Sequence, residues 1–267
     1  MFLEKLKEYY REIITAFLVL AAMAVLVAFD FVEIKFCADE TLNNLLCEIV
    51  PRVCAGIALT AVAVIMGFKS IVLPSFKNIL KDLLWCIPCI FVVIANFPFT
   101  AIFSGNATIN RTDLIWLFAL KCLSIGLMEE MLFRGLFQGV NQEKFQGQKY
   151  DKLKTVAITS AVFGCIHLLN LFSGANVGAT FLQVGYSFLI GAMLSAVLIK
   201  TKNIWLCVIL HAVFDFGGFI VTDLGSGKFQ DGWFWGFTAF FGVICFAYIL
   251  YFLLKTSKTD QTTTNND

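Results

Sequence analysis

Long apolar runs recur from one end of the chain to the other, and they restrict what the chain can fold into more than any other feature. A bilayer core about 30 Å thick requires roughly 20 mostly apolar residues per helix, because a helix rises about 1.5 Å per residue. Hydrophobic residues make up 59% of the chain and charged residues only 15%, whereas soluble domains have about 45–50% and about 25%. The sequence therefore predicts an all-α polytopic membrane protein of about eight transmembrane helices, over the spans 13–29, 46–67, 83–103, 114–139, 155–172, 179–199, 204–222 and 233–254.

The two ends of the chain are more polar than these spans. Residues 1–12 mix charged and apolar side chains at helical spacing, which predicts an amphipathic lead-in at the membrane interface. A single transmembrane domain then covers 13–254, and the polar segment 255–267 predicts a disordered cytoplasmic tail.

Positive charges separate into alternate loops, which predicts the orientation of the chain. The loops on the side of the two termini carry Lys5, Lys7, Arg11, Lys69, Lys77, Lys81, Lys144, Lys149, Lys152, Lys154, Lys200, Lys202, Lys255 and Lys258. The loops on the other side carry Lys35, Arg52, Arg111 and Lys228. Because Lys and Arg are enriched in cytoplasmic loops, we expect both termini to be cytoplasmic.

Several classes of function are excluded or unsupported. The net charge of +1 provides no basic surface for nucleic acid, so no nucleic-acid partner is expected. Most of the nine cysteines lie in apolar runs, where small packing residues are the usual interpretation. Cys37 and Cys47 share a polar loop and can pair if that loop faces an oxidising compartment, which the sequence does not decide.

Ionisable side chains occur inside the predicted spans. The chain has only two histidines, His167 and His211, and both lie in such spans, while a third span carries Glu129, Glu130 and Arg134. An ionisable side chain at the centre of a bilayer costs about 2.5–3.5 kcal/mol on insertion scales. These residues therefore indicate a functional site built inside the membrane.

The two adjacent glutamates are expected to have different roles. Neighbouring residues point about 100° apart on a helix, so we do not expect Glu129 and Glu130 to face the same partner. Arg134 follows Glu130 by four residues, the spacing at which a carboxylate and a guanidinium meet. The pattern predicts a charge-compensating Glu130–Arg134 pair and leaves Glu129 free to face a site. The alternative is a buried salt-bridge cluster that only fixes helix packing.

The histidines also have regularly spaced neighbours. Phe163 lies one helical turn before His167, and Asp215 lies four residues after His211. The His211–Asp215 spacing can supply two metal ligands, or a carboxylate that orients an imidazole. Each histidine can equally serve as a hydrogen-bonding group between helices. Glu129, His167 and His211 all fall in the middle to cytoplasmic half of their spans, within reach of one cavity.

These residue types can activate water in two ways. A bound Zn²⁺ lowers the pKa of its water to about 7, and a carboxylate then takes the proton. Without a metal, Glu129 can itself act as the base in a desolvated pocket. Either route produces a nucleophilic water that attacks a carbonyl group, which predicts hydrolysis.

Three motifs together resemble the CPBP family, the CAAX-protease and bacteriocin-processing membrane proteases also called Abi. They are Glu129-Glu130-x-x-x-Arg134, Phe163-x-x-x-His167 and His211-x-x-x-Asp215, in family order and in separate spans. The resemblance covers residues 114–220. It implies an eight-helix α fold, a site that opens towards the cytosol, and cleavage of peptide bonds within or near the membrane.

The resemblance also implies roles for individual residues. By this resemblance, Glu129 activates the water together with His167. His211 and Asp215 bind a metal or stabilise the oxyanion. The pair formed by Glu130 and Arg134 supports the site. Candidate zinc ligands are Glu129, His167 and His211, although a metal-free glutamate mechanism has also been proposed for relatives.

Position 215 departs from part of this family, because eukaryotic-type CAAX processors have Asn there. Asn donates a hydrogen bond to an oxyanion, which an ionised Asp cannot do. Asp215 must therefore be protonated, orient His211 or bind a cation, and we favour the last two roles.

The interpretation that follows is an intramembrane endopeptidase acting on membrane-associated proteins, prenylated CAAX proteins among them, or on peptide precursors. Its partners are then the lipid bilayer and a peptide or lipidated protein substrate, and its expected location is a bacterial plasma membrane. The alternatives are a non-catalytic membrane partner or bacteriocin-immunity protein on the same fold, and an ion-coupled transporter that relays protons through Glu and His. The sequence leaves the oligomeric state open.

Overall fold

Helices account for most of the chain, of which the computed structural model describes residues 2–29 and 34–264. In chain order they are α1 (Phe2–Phe29), α2 (Glu40–Ile65), α3 (Lys69–Val72), α4 (Ile79–Trp85), α5 (Ile87–Ala95), α6 (Phe99–Phe103), α7 (Ile115–Glu130), α8 (Gln138–Phe145), α9 (Asp151–Ile166), α10 (Val177–Thr201), α11 (Ile204–Leu224) and α12 (Gly232–Thr264). A π-helical segment, Met131–Phe137, joins α7 to α8, and a 3₁₀ turn, His167–Leu171, follows α9. Shorter 3₁₀ turns are Phe76–Asn78 and Thr112–Leu114.

Two short strands lie at one end of the bundle. Strand β1 (Ala107–Ile109) pairs antiparallel with β2 (Gly225–Gly227), with Ala107 opposite Gly227. The pair ties the loop before α7 to the loop after α11. It marks one end of the molecule, called here the β end.

Capping side chains fix where three long helices begin. Asp39, Asn176 and Asn203 precede α2, α10 and α11, and each side chain accepts a hydrogen bond from a backbone N–H in the first turn. Those N–H groups have no partner within the helix, so a side-chain oxygen at this position stabilises the helix start.

Five helices within the described residues are long and apolar enough to cross a membrane. They are Glu40–Ile65, Asp151–Leu171, Val177–Thr201, Ile204–Leu224 and Gly232–Ser257. The segments Phe76–Trp85 and Ile87–Ala95, which meet at an angle of 61°, make a sixth if they form one bent span. The all-α membrane architecture is therefore confirmed, whereas the number eight and the cytoplasmic termini stay predictions.

The predicted spans 13–29 and 114–139 are not among these membrane-length helices. The second of them is helical throughout, from Ile115 to Phe145, although it changes from α to π and back. It carries four charged residues, Lys121, Glu129, Glu130 and Arg134, so it is too polar to qualify by composition.

Helices at both chain ends extend across the predicted domain boundaries. α1 is continuous from Phe2 to Phe29, so the lead-in and the first predicted span share one helix. α12 continues to Thr264, which places most of the tail predicted to be disordered in a helix. The tail has no Gly or Pro before that point, and extending an existing helix costs less than starting one. The functional division at residues 12 and 255 stays a prediction.

Two glycines allow the central helices to approach closely. A Cβ at Gly126 of α7 would lie 2.8 Å from the carbonyl oxygen of Val208 on α11. A Cβ at Gly164 of α9 would lie 2.9 Å from the carbonyl oxygen of Val184 on α10. Only a residue without a side chain fits at such distances. The first contact brings the motif-bearing helices α7 and α11 together, and the second packs the motif-bearing α9 against α10.

All nine cysteines are thiols in this structure. The Cys47 thiol donates to the Ile34 carbonyl at 3.3 Å, and the Cys37 thiol to the Asp39 carbonyl at 3.5 Å. Whether Cys37 and Cys47 pair under oxidising conditions stays open.

Candidate active site

The first motif lies where α7 changes into the π-helical segment. Glu129 and Glu130 are the last residues of α7, and Arg134 lies inside Met131–Phe137. A π-helical turn is rare and occurs frequently at functional sites, because it re-aims side chains relative to a regular helix.

Glu130 and Arg134 form the predicted ion pair. Arg134 Nη1 donates to Glu130 Oε1 at 2.8 Å, and both side chains are fully buried. A buried ion pair requires further hydrogen bonds to offset the cost of desolvation. Glu130 has one, because the same Oε1 atom lies 2.7 Å from His211 Nδ1.

His211 contacts both glutamates, which contradicts the expectation that they face different partners. Its Nδ1 atom bonds Glu130, whereas its Nε2 atom lies 3.7 Å from Glu129 Oε2 and 3.5 Å from Asp215 Oδ2. The expectation assumed that a partner side chain offers one polar atom in one direction. An imidazole has two nitrogens on different edges, so neighbouring carboxylates can reach the same ring from two directions.

The hydrogen bond to Glu130 defines the protonation of one ring nitrogen. A carboxylate paired with a guanidinium can only accept, so Nδ1 of His211 carries the hydrogen. Nε2 is then the atom that faces Glu129, Asp215 and the cavity. Glu130 is thus the residue that orients His211, a role for which the sequence favours Asp215.

Asp215 is buried but has a free oxygen. Its Oδ2 atom is 3.5 Å from the imidazole, which is long for a hydrogen bond, and has no hydrogen-bond partner among the described residues. An oxygen in this state is available to a bound substrate or water.

His167 begins the 3₁₀ turn that ends α9. Its Nδ1 atom lies 2.9 Å from the carbonyl oxygen of Phe163. A carbonyl only accepts, so Nδ1 donates, and Nε2 of the neutral ring is left with a lone pair. The half-buried ring can therefore accept a proton from water.

Phe163 holds three other site residues in place. Its ring lies under the Arg134 guanidinium at 4.2 Å, a cation–π contact. It also makes edge-on contacts with the rings of His167 at 5.3 Å and His211 at 5.9 Å between centroids. One aromatic side chain thus connects all three motifs.

One cavity of about 600 Å³ brings the predicted catalytic residues together, and it is lined by Glu129, His167, His211 and Asp215. This volume is within the usual range for ligand pockets, about 300–1,000 Å³. Phe163 also lines it, while Glu130 and Arg134 lie behind His211. The cavity can hold an extended peptide segment beside two imidazoles and two carboxyl groups.

A second charged cluster in the same cavity was not predicted. Lys121 Nζ lies 2.6 Å from Glu48 Oε1 and 2.5 Å from Asp223 Oδ2, and Arg52 Nη1 lies 3.4 Å from Glu48 Oε2. All four residues line the cavity. The position of Lys121 inside a predicted span was a sequence signal for a buried charged group. Its partners could not be identified from local spacing, because they lie 73 and 102 residues away in the sequence.

The side chains do not form a recognisable metal site. Within the described residues, no group of three or more His, Cys, Asp or Glu side chains is arranged to hold a metal ion. Glu129, His167 and His211 are thus not prearranged as a set of three ligands, and their role as zinc ligands stays a prediction.

Residues 111–217 match the family model described as Rce1-like, type II CAAX prenyl endopeptidase Rce1-like. That segment is Rce1-like. It contains all three motifs, so the predicted resemblance to the CAAX proteases is confirmed for this part of the chain. No curated protein and no solved structure gave a significant match.

Proposed function

We propose that the protein is an intramembrane endopeptidase that hydrolyses peptide bonds by a glutamate-activated water. One observation carries the proposal. A single cavity is lined by residues from three separate segments, Glu129, His167, His211 and Asp215, and all four lie within the part of the chain that matches the Rce1-like family model. The substrate class is then a membrane-associated protein or a peptide precursor. Lipidated CAAX proteins are one member of that class.

Glu129 is the general base of this mechanism. It takes a proton from a water molecule while the water oxygen attacks the carbonyl carbon of the peptide bond, and His167 Nε2 accepts the second hydrogen bond of that water. The tetrahedral intermediate collapses as its C–N bond breaks, and the proton returns from Glu129 to the leaving amine. One water is consumed, and a carboxyl group and an amine are produced.

His211 and Asp215 stabilise the oxyanion. In its cationic form His211 donates from Nε2, and its charge is compensated by Glu130 at Nδ1. Asp215, when protonated, donates from Oδ2. A donor aimed at the developing oxyanion contributes about 2.7–4 kcal/mol to catalysis in other enzymes.

The test is cleavage of a quenched peptide library by purified protein in detergent. Glu129→Gln and His167→Ala should each abolish or strongly reduce cleavage, and Glu143→Gln is the matched control because Glu143 lies outside the cavity, on α8. A folded Glu129→Gln variant with the wild-type rate would refute the mechanism. Peptide binding without cleavage by the wild type would favour the non-catalytic binding protein instead.

A further inference from the structure

A pair of amide side chains lies in the cavity beside the proposed catalytic residues. Asn170 Nδ2 donates to Gln183 Oε1 at 2.8 Å, and this bond joins the 3₁₀ turn His167–Leu171 to α10. Both side chains are half-buried, and both line the cavity. The mechanism proposed above uses neither of them, so a further role for the pair can be sought in the binding of substrate.

The bond between the two amides uses only part of their hydrogen-bonding capacity. It takes one N–H of Asn170 and one lone pair of the Gln183 carbonyl oxygen. The carbonyl oxygen of Asn170 and the amino group of Gln183 take no part in it. The pair therefore offers one acceptor and one donor, which complement the N–H and C=O groups of a peptide backbone. Contacts to backbone groups bind an extended peptide with little dependence on its side chains.

The local helix geometry places Asn170 on the same face as His167. A 3₁₀ helix has three residues per turn, so side chains three positions apart lie directly above one another. The cavity lining follows this period, because it includes positions 166 and 169, and 167 and 170, but neither 168 nor 171. At a rise of about 2.0 Å per residue, Asn170 lies about 6 Å beyond His167 along the turn.

This spacing matches the repeat of an extended peptide. A β-strand rises about 3.4 Å per residue, and its backbone groups point to the same side at every second residue, about 6.8 Å apart. When the carbonyl under attack lies beside His167, the backbone N–H and C=O groups two residues away therefore reach the level of Asn170 and Gln183. A helical segment could not make these contacts, because its backbone groups are already bonded within the helix.

We propose that Asn170 and Gln183 bind the substrate backbone two residues from the residue whose carbonyl is attacked. Asn170 Oδ1 accepts from the peptide N–H at that position, and Gln183 Nε2 donates to the peptide carbonyl oxygen. The substrate class is thereby narrowed to segments that enter the cavity in an extended conformation. Proline is excluded at the bound position, because it has no N–H to donate. The inference rests on the proposed function for the cleavage, whereas the binding itself requires no cleavage.

Backbone esters test the proposal, because an ester replaces one peptide N–H by oxygen and leaves the side chains unchanged. A peptide from the library of the activity test is made as a series with a single ester at each position in turn. In the wild type, the ester at the bound position should raise KM about 2- to 10-fold relative to the ester one residue further from the cleaved bond, with little change in kcat. In Asn170→Leu, the two esters should have the same KM.

Matched variants separate substrate binding from support of the fold. Gln183→Met should raise KM for the all-amide peptide about as much as Asn170→Leu does. Gln148→Ala, which removes an exposed amide outside the cavity, should leave KM unchanged. A merely structural role would lower kcat and the melting temperature and leave the ester penalty as it is in the wild type. An ester penalty that is equal in the wild type and Asn170→Leu, or the absence of a position-specific penalty, would overturn the proposal.

Binding measurements distinguish failure of this proposal from failure of the proposed function. Glu129→Gln should bind fluorescently labelled forms of the same peptides, and its Kd should show the ester penalty at one position. That penalty should disappear in Glu129→Gln/Asn170→Leu. If this pattern is found but the wild type cleaves no peptide, the proposed function fails and the backbone-binding pair stands. If the wild type cleaves peptides but the pattern is absent, the proposed function stands and the backbone-binding pair is refuted.

Discussion

The buried pair of Glu130 and Arg134 allows a sharp test of what holds the site together. Both side chains are fully buried, and Arg134 also stacks on Phe163. Replacing Arg134 by Met keeps most of the volume but removes the guanidinium, so that the buried Glu130 carboxylate keeps only its contact with His211. Breaking a buried pair from one side typically costs about 3–5 kcal/mol. We expect Arg134→Met to lower the free energy of unfolding by about that amount.

The matched control is Arg111→Met, which removes an arginine from an exposed ion pair at the β end. Water already screens that pair, so its loss should have a much smaller effect. Reversible unfolding in mixed detergent–lipid micelles, followed by tryptophan fluorescence, measures both variants. The double variant Glu130→Gln/Arg134→Met removes both charges and should be more stable than Arg134→Met alone. An Arg134→Met variant no less stable than Arg111→Met would refute the assignment of a buried, mutually dependent pair.

Three further predictions concern packing, metal and pH. Gly126→Ala should destabilise the protein by about 1–3 kcal/mol in the same unfolding assay and reduce peptide cleavage, because the added methyl group meets the backbone of α11. Gly236→Ala, whose methyl group meets open space on a helix, should neither destabilise the protein nor reduce cleavage. Peptide cleavage should persist after prolonged chelation, with zinc far below one equivalent by elemental analysis; activity restored only by added zinc would contradict this. Arg111 lowers the pKa of Asp39 and Asp113 through side-chain hydrogen bonds, so these pairs stabilise the fold above the ordinary carboxyl pKa, and the contribution is lost as the pH falls through the lowered values. Melting curves from neutral to acid pH should therefore show a smaller acid loss in Arg111→Met than in the wild type.

Local spacing predicted the parts of the site that lie on one helix. The four-residue separation of Glu130 and Arg134 was sufficient to predict their ion pair. Clustering of the motifs in one cavity was also predictable, because polar groups inside a membrane must find each other. The common cavity of Glu129 and His167 therefore follows from the sequence.

Contacts between distant segments could not be predicted in this way. The π-helical turn after Glu130 has no clear sequence signal, and it lies where both glutamates reach one imidazole. The contact of Lys121 with Glu48 and Asp223 depends on how three helices pack. Hydropathy likewise indicates which segments are apolar, but it does not indicate where the helices pack far enough apart to enclose a cavity.

The role of Glu130 has a consequence for Asp215. Because Glu130 already orients His211, the remaining role of Asp215 is the hydrogen bond that its free oxygen, Oδ2, makes to the oxyanion. Asn at this position offers an N–H donor at every pH, whereas Asp donates only when protonated. We expect Asp215→Asn to remain active and to lose less kcat/KM than the wild type as the pH rises. The pH profiles of the two proteins measure this directly. If Asp215→Asn were inactive while Asp215→Glu retained activity, the negative charge itself would be required, and Asp215 would have to balance a cation rather than donate to the oxyanion.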